Sequence, residues 1–147
     1  MKQYCCTFFG HHDCPETIRP KLREAIVDMI VHSHVDMFYV GNHGYYDAMV
    51  RSLLRELQTA YPQIGYAVVL AYLPGKNTEN EDFSDTMLPE GIENTPRRFA
   101  ISWRNKWMVN HSGYVIAYVT HDWGGAWQFT AYAEKHGKTV RNLAEDQ

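Results

Sequence analysis

The feature that most limits what this chain can fold into is a recurring order: an apolar run, a polar turn rich in glycine or histidine, then helical periodicity. Gln3–Gly10 (QYCCTFFG), Val35–Val40 (VDMFYV), Ile64–Leu73 (IGYAVVLAYL) and Tyr114–Val119 (YVIAYV) are the apolar runs. Their near-continuous hydrophobicity predicts strands buried on both faces, as in parallel sheets. Between them, Ile18, Leu22, Ile26, Met29 and Ile30 recur at helical spacing behind Pro15, which suits a first-turn position, and Pro20 lies in or near the first turns. Met49, Leu53, Leu54 and Leu57 do the same over Tyr46–Tyr61. A helix carrying Arg104 and Lys106 precedes the Tyr114 run, and another begins near Ala126. A short fourth strand is expected around Phe99–Ile101, and Lys138–Leu143 is expected as an edge strand. Strands alternating with helices predict an α/β fold, a Rossmann-like parallel sheet of about five to six strands with helices on both faces.

The pattern fails from Pro74 to Pro96, which is polar, acidic and rich in turn formers. An irregular stretch of that length within one domain reads as a functional loop, here a candidate lid. At 147 residues, 45% of them hydrophobic, the chain suits a single domain spanning 1–147. A net charge of −3 gives no footprint for nucleic acid. The start of the chain lacks the order of a signal peptide, and no apolar run is long enough to cross a bilayer. The expectation is a soluble, cytoplasmic protein without a membrane partner. Its 3 cysteines match no metal pattern and read as reduced thiols; Cys14, near a helix start, is either an activated or an inert thiol.

In parallel α/β sheets, ligands bind beyond the carboxyl ends of the strands, where the strand order reverses. The glycine-bearing turns all follow predicted strands: Gly10-His11-His12-Asp13, Gly41-Asn42-His43-Gly44 and His121-Asp122-Trp123-Gly124-Gly125. Arg104 follows the weak fourth strand. A Gly-Gly turn opening onto a helix lets backbone N–H groups approach an anion, and an arginine adds a bidentate ligand for phosphate or carboxylate. Gly10, His12, Gly41, Asn42, Gly44, Asp47, Arg104, His121, Trp123, Gly124 and Gly125 are therefore the candidate ligand-binding residues. Two readings stand beside each other for several of them. Gly41 and Gly44 serve either a ligand or a tight turn; Asp47 holds either a ribose hydroxyl or the start of its own helix. Arg104 is a ligand clamp, a solvated surface charge or a partner for the acids of the Pro74–Pro96 loop, and Trp123 stacks on a base or packs in the core. His11, His12, His43 and His121 match no zinc spacing, so no metal is expected.

The segments FFGHHDCP, FYVGNHGYYDAMV, DTMLPEGIE, FAISWRNKWM and THDWGGAWQF resemble, in that order and over nearly the whole chain, the SLOG superfamily. This Rossmann-like group includes the Lonely Guy phosphoribohydrolases and the DNA-processing protein A family, and the likeness is greatest to its small single-domain bacterial and phage branch. The resemblance places the phosphate turn at Gly124 and Gly125. It matches Gly41 and Gly44, with Asp47 following, to a second glycine turn, and Arg104 and Met108 to the arginine and methionine of the R-K-x-x-M helix. It implies binding of a nucleotide or ADP-ribose-like metabolite, no separate cofactor, and pairing of copies through helices into a homo-oligomer. Two departures stand out. The acidic pair that follows the hydrolases' Gly-Gly is missing, with no acid until Glu134. The branch's arginine in the first turn is His12. A sensor or ligand-sequestering protein is the first expectation. A phosphoribohydrolase or N-glycosidase drawing its acid from Asp122 or the Glu79–Asp85 loop is the second, with catalytic residues unknown, and an interaction domain with a vestigial pocket is the third.

Overall fold

The computed structural model describes residues 4–73 and 84–145. Six strands form one sheet: β1 (Cys5–Gly10), β2 (Met37–Val40), β3 (Gly65–Val69), β4 (Thr86–Met87), β5 (Tyr114–Tyr118) and β6 (Thr139–Asn142). Their order is β4-β3-β2-β1-β5-β6, and every pairing is parallel. The chain builds outward from β1 to β4, then crosses back to lay β5 on the other side of β1. The order therefore reverses between β1 and β5, whose carboxyl ends meet in register at Gly10 and Tyr118. This is the α/β, Rossmann-like architecture the alternating pattern predicts.

Side-chain alternation along each strand divides the core in two. On one face Cys6, Phe8, Phe38, Val68 and Ile116 pack against α1 (Arg19–His32) and α2 (Gly44–Ala60). On the other, Phe9, Val69, Val115 and Ala117 pack against α3 (Arg97–Asn110) and α4 (Gly125–Lys135). Pro20 sits in the first turn of α1, where its missing N–H costs no helical bond.

The structure corrects two expectations on the β3 side of the sheet. Phe99–Ile101 is not a strand but the first turns of α3, so Arg104 lies within that helix rather than just after a strand. The edge strand lies instead in the second half of the stretch expected to be irregular. There Val68 N–H donates to Asp85 O at 2.7 Å and Leu70 N–H to Met87 O at 2.9 Å. Ile92, 3% exposed, then packs with Ala71 and Ala100. Asp85 anchors this arm: its carboxylate accepts hydrogen bonds from Arg51, Arg55 and Tyr66. Burial pushes its pKa up, but the bonds from Arg51 and Tyr66 outweigh that and hold it below the ordinary carboxylate value. The lid reading for the rest of Pro74–Pro96, residues 74–83, lies outside the described residues.

Candidate functional site

Gly10 ends β1 at the reversal of strand order, and its missing side chain has a structural cause. A Cβ there would lie 2.2 Å from the ring of Tyr46. Tyr46, fully buried in the first turn of α2, passes over Gly10 and donates its hydroxyl to Ile116 O in β5 at 2.8 Å. The ring thus ties α2 to β5 across the strand between them. Sequence reasoning gave Gly10 to a ligand and missed Tyr46; a tyrosine amid helical apolar residues carries no visible sign of this reach.

The predicted turns meet on this rim. Tyr45 N–H donates to His12 O at 3.0 Å, and a Cβ on Gly44 would stand 2.9 Å from His12 Cα. Gly44 also has φ +84, which glycine adopts without the steric cost other residues bear. The first turn is joined to the third by stacking. The ring of His121 lies between those of His11 and Trp123, with centroids 3.8 Å apart in each pair. Trp123 is therefore neither core nor loose: it is 66% exposed at the end of a three-ring column.

Arg104 is 2% exposed. Its place on the Ala100-Arg104-Met108 row of α3, all buried, is the sequence sign that it faces inward. Nη1 donates to Val69 O at 2.8 Å and to Asn42 Oδ1 at 3.2 Å, and Nε donates to Asn105 Oδ1 at 2.8 Å. Nη2 stands 3.4 Å from His43 Nδ1. All four acceptors are neutral. The surface-charge reading of Arg104 does not hold, and the guanidinium also joins the end of β3 to the Gly41–Gly44 turn.

Asp47 faces the guanidinium across Gly41. A Cβ on Gly41 would lie 2.8 Å from Asp47 Oδ2 and 3.3 Å from Arg104 Cζ, so only glycine leaves both groups where they are. Asp47 Oδ2 accepts the N–H of His43, the N-cap of α2, at 3.0 Å, so this acid one turn in satisfies the backbone at the start of its own helix. The helix-start reading of Asp47 is thus realised, and it uses one of two oxygens. Burial raises the Asp47 carboxyl from an ordinary 3.8 to about 6, against the opposing pull of the His43 N–H, Arg104 and His12.

α4 begins at Gly125 behind Gly124, which has φ +90, and no side chain caps it. Its first helical bond runs from Gln128 N–H to Gly124 O at 3.0 Å. No side-chain hydrogen bond caps the N–H groups of the first turn, and a Cβ on either glycine would meet nothing within 4 Å.

These pieces share one cleft of about 160 Å³, lined by residues including Gly10, His12, His43, Asp47, Arg104 and Gly125. Asp47 is the one acid among its described lining residues. Gly41 and Asn42 line an adjoining groove of about 440 Å³ that meets the cleft at Asp47. His121 lies outside both, in a cavity of about 270 Å³ beside β6 that also holds Asp122 and Glu134. A cavity of about 550 Å³ between the starts of α1 and α2 shares no residue with the cleft. Arg19, the one cation among its described lining residues, is paired with Glu56 at 3.1 Å. Cys14 lines it as an inert thiol, pushed up to about 11 first by burial and then by Asp13 and Asp47. Among the described residues no group of three or more His, Cys, Asp or Glu could hold a metal ion, and no helix is long and apolar enough to cross a membrane.

No family model matches the chain, and no curated protein is significantly similar to it.

Proposed function

We propose that this protein binds a nucleotide or ADP-ribose-type phosphorylated metabolite at the carboxyl edge of its sheet, as a sensor or a ligand-sequestering protein, in the manner of the SLOG superfamily it resembles. One observation carries the reading. A buried guanidinium with only neutral acceptors faces the same cleft as an uncapped helix start. Both features favour an anion, through a fixed charge on one side and uncapped N–H groups on the other.

The cleft is smaller than the roughly 300–1,000 Å³ typical of sites that enclose a whole small molecule. It takes the phosphate and part of the sugar, and the rest of the ligand extends along the groove past Gly41 and Asn42. Trp123 lines neither the cleft nor the groove, and its part in stacking a base is proposed from the exposure of its ring alone. Among the described residues the acids named for catalysis, Asp85 and Asp122, do not line the cleft, which favours binding over cleavage; residues 79–83 of the named loop lie outside the described residues. Asp85 is held by Arg51, Arg55 and Tyr66, and Asp122 lines the cavity beside β6. Self-association through α1 and α2 belongs to the same proposal.

An equilibrium-binding screen of nucleoside mono- and diphosphates and ADP-ribose tests it, with Arg104→Ala as control. Binding by the native protein that falls at least tenfold in a folded Arg104→Ala supports the reading. No binding, or undiminished binding by the variant, contradicts it.

A further inference from the structure

The cleft holds donors in excess: the Arg104 guanidinium, the N–H groups at the start of α4, and the imidazoles of His12 and His43. Its one acid stands out against that set. Asp47 spends Oδ2 on the His43 N–H. Among the described residues Oδ1 has no hydrogen-bond partner, and Arg104 forms no salt bridge with it. The groups around this carboxylate are His12, His43, Arg104, Cys14 and Tyr46. Burial holds Cys14 and Tyr46 in their neutral forms, so neither adds a second negative charge beside Asp47.

An ionised carboxylate accepts hydrogen bonds and cannot donate them. An anion that carries no hydrogen, such as sulfate or a phosphodiester, meets Oδ1 as charge against like charge. A phosphate monoester near neutral pH exchanges readily between its mono- and dianion, with a second pKa near 6, and its P–O–H can donate to Oδ1. We infer that Asp47 is a specificity-determining residue that makes the cleft select a phosphate monoester over a sulfate or phosphodiester, with one proton held between the phosphate oxygen and Oδ1. The bond that forms is O–H···O; one proton is taken up where a monoester dianion binds, and none where inorganic hydrogen phosphate, which keeps its P–O–H as a dianion, binds. This rests on the reading of the cleft as an anion site, and it favours a terminal monophosphate over the internal pyrophosphate of an ADP-ribose.

The test compares inorganic phosphate with sulfate, and methyl phosphate with dimethyl phosphate, following the Gly125 and Ala126 amide resonances. At pH 7.5 the protonatable anions are expected to bind roughly 10- to 100-fold more tightly, the range that a hydrogen bond to a charged group typically contributes. Asp47→Asn, which keeps an oxygen for the His43 N–H and adds a donor, is expected to bring phosphate and sulfate within about twofold of each other. The native protein at pH 5 gives a second readout that needs no variant. The Asp47 carboxyl, at about 6, is then largely protonated, and sulfate gains on phosphate. Equal binding of the two anions by the native protein at pH 7.5, or a preference unchanged at pH 5 and in Asp47→Asn, overturns the selectivity alone. If neither anion moves these amides, the anion site itself falls, and this inference with it.

Discussion

His11 Nε2 accepts a hydrogen bond from the backbone N–H of Thr120 at 2.9 Å, joining the turn after β1 to the end of β5. That bond requires a lone pair on Nε2, so His11 is neutral here with its proton on Nδ1. The His121 ring stacked on it and the Trp123 ring beyond depend on the same anchor. His11 is thus one anchor of the turn that leads into Gly124 and Gly125, beside Asn142, whose side chain bonds both the N–H and the C=O of Val119.

From this follows a pH dependence. Burial lowers the His11 pKa, His121 lowers it further, Asp13 opposes, and His12 adds a smaller lowering. The unfolded chain thus binds a proton at this histidine more readily than the folded one. The contribution is fully present above the unfolded value of about 6.5 and is lost as pH falls toward the depressed folded value. Urea unfolding at pH 7.5 and 5.5 is expected to show a fall in stability that is smaller in His11→Gln, whose amide oxygen replaces the acceptor. His11→Ala, which leaves the Thr120 N–H without a partner, is expected to cost about 1–3 kcal/mol at pH 7.5. An identical pH response in native protein and His11→Gln contradicts this assignment.

The glycines separate by what surrounds them. Gly10→Ala drives a methyl into the Tyr46 ring, and overpacking of this kind costs about 1–3 kcal/mol or more, with loss of the Tyr46 bond to Ile116. Gly125→Ala meets nothing within 4 Å and sits at a helical position that alanine favours, so thermal stability is expected to hold or rise slightly. The same methyl blocks close approach of a phosphate, so ligand affinity is expected to fall while stability does not. A Gly125→Ala protein that binds phosphorylated ligands as before would remove this glycine from the site.

How much of this was legible depends on the type of signal. The apolar runs around Phe8, Phe38, Val68 and Ile116 revealed the parallel sheet, because burial on both faces leaves them little polar character. The rim was legible because glycine and polar residues gather after strand ends. The strand at Thr86–Met87 was not. Two residues at a sheet edge carry no period, and that edge is held by Asp85, whose partners come from α2 and β3. Nor was Phe99–Ile101 legible as helix, because Phe99, Ala100 and Ile101 form an apolar run as short as a strand, and only the Ala100-Arg104-Met108 row reveals the inward face. The roles of Tyr46 and Asn105 arise from tertiary contacts with Ile116 and Arg104 that spacing does not encode.

The most direct measurement is an amide-resolved NMR titration of the native protein with adenosine monophosphate. Saturating shifts are expected at Gly125, Ala126, Asn42 and His43, with the Arg104 Nε resonance moving in step. Shifts confined to the α1–α2 cavity around Tyr45 and Met49, or none at all, would contradict the claim that the buried arginine and the Gly-Gly helix start hold one phosphorylated ligand between them.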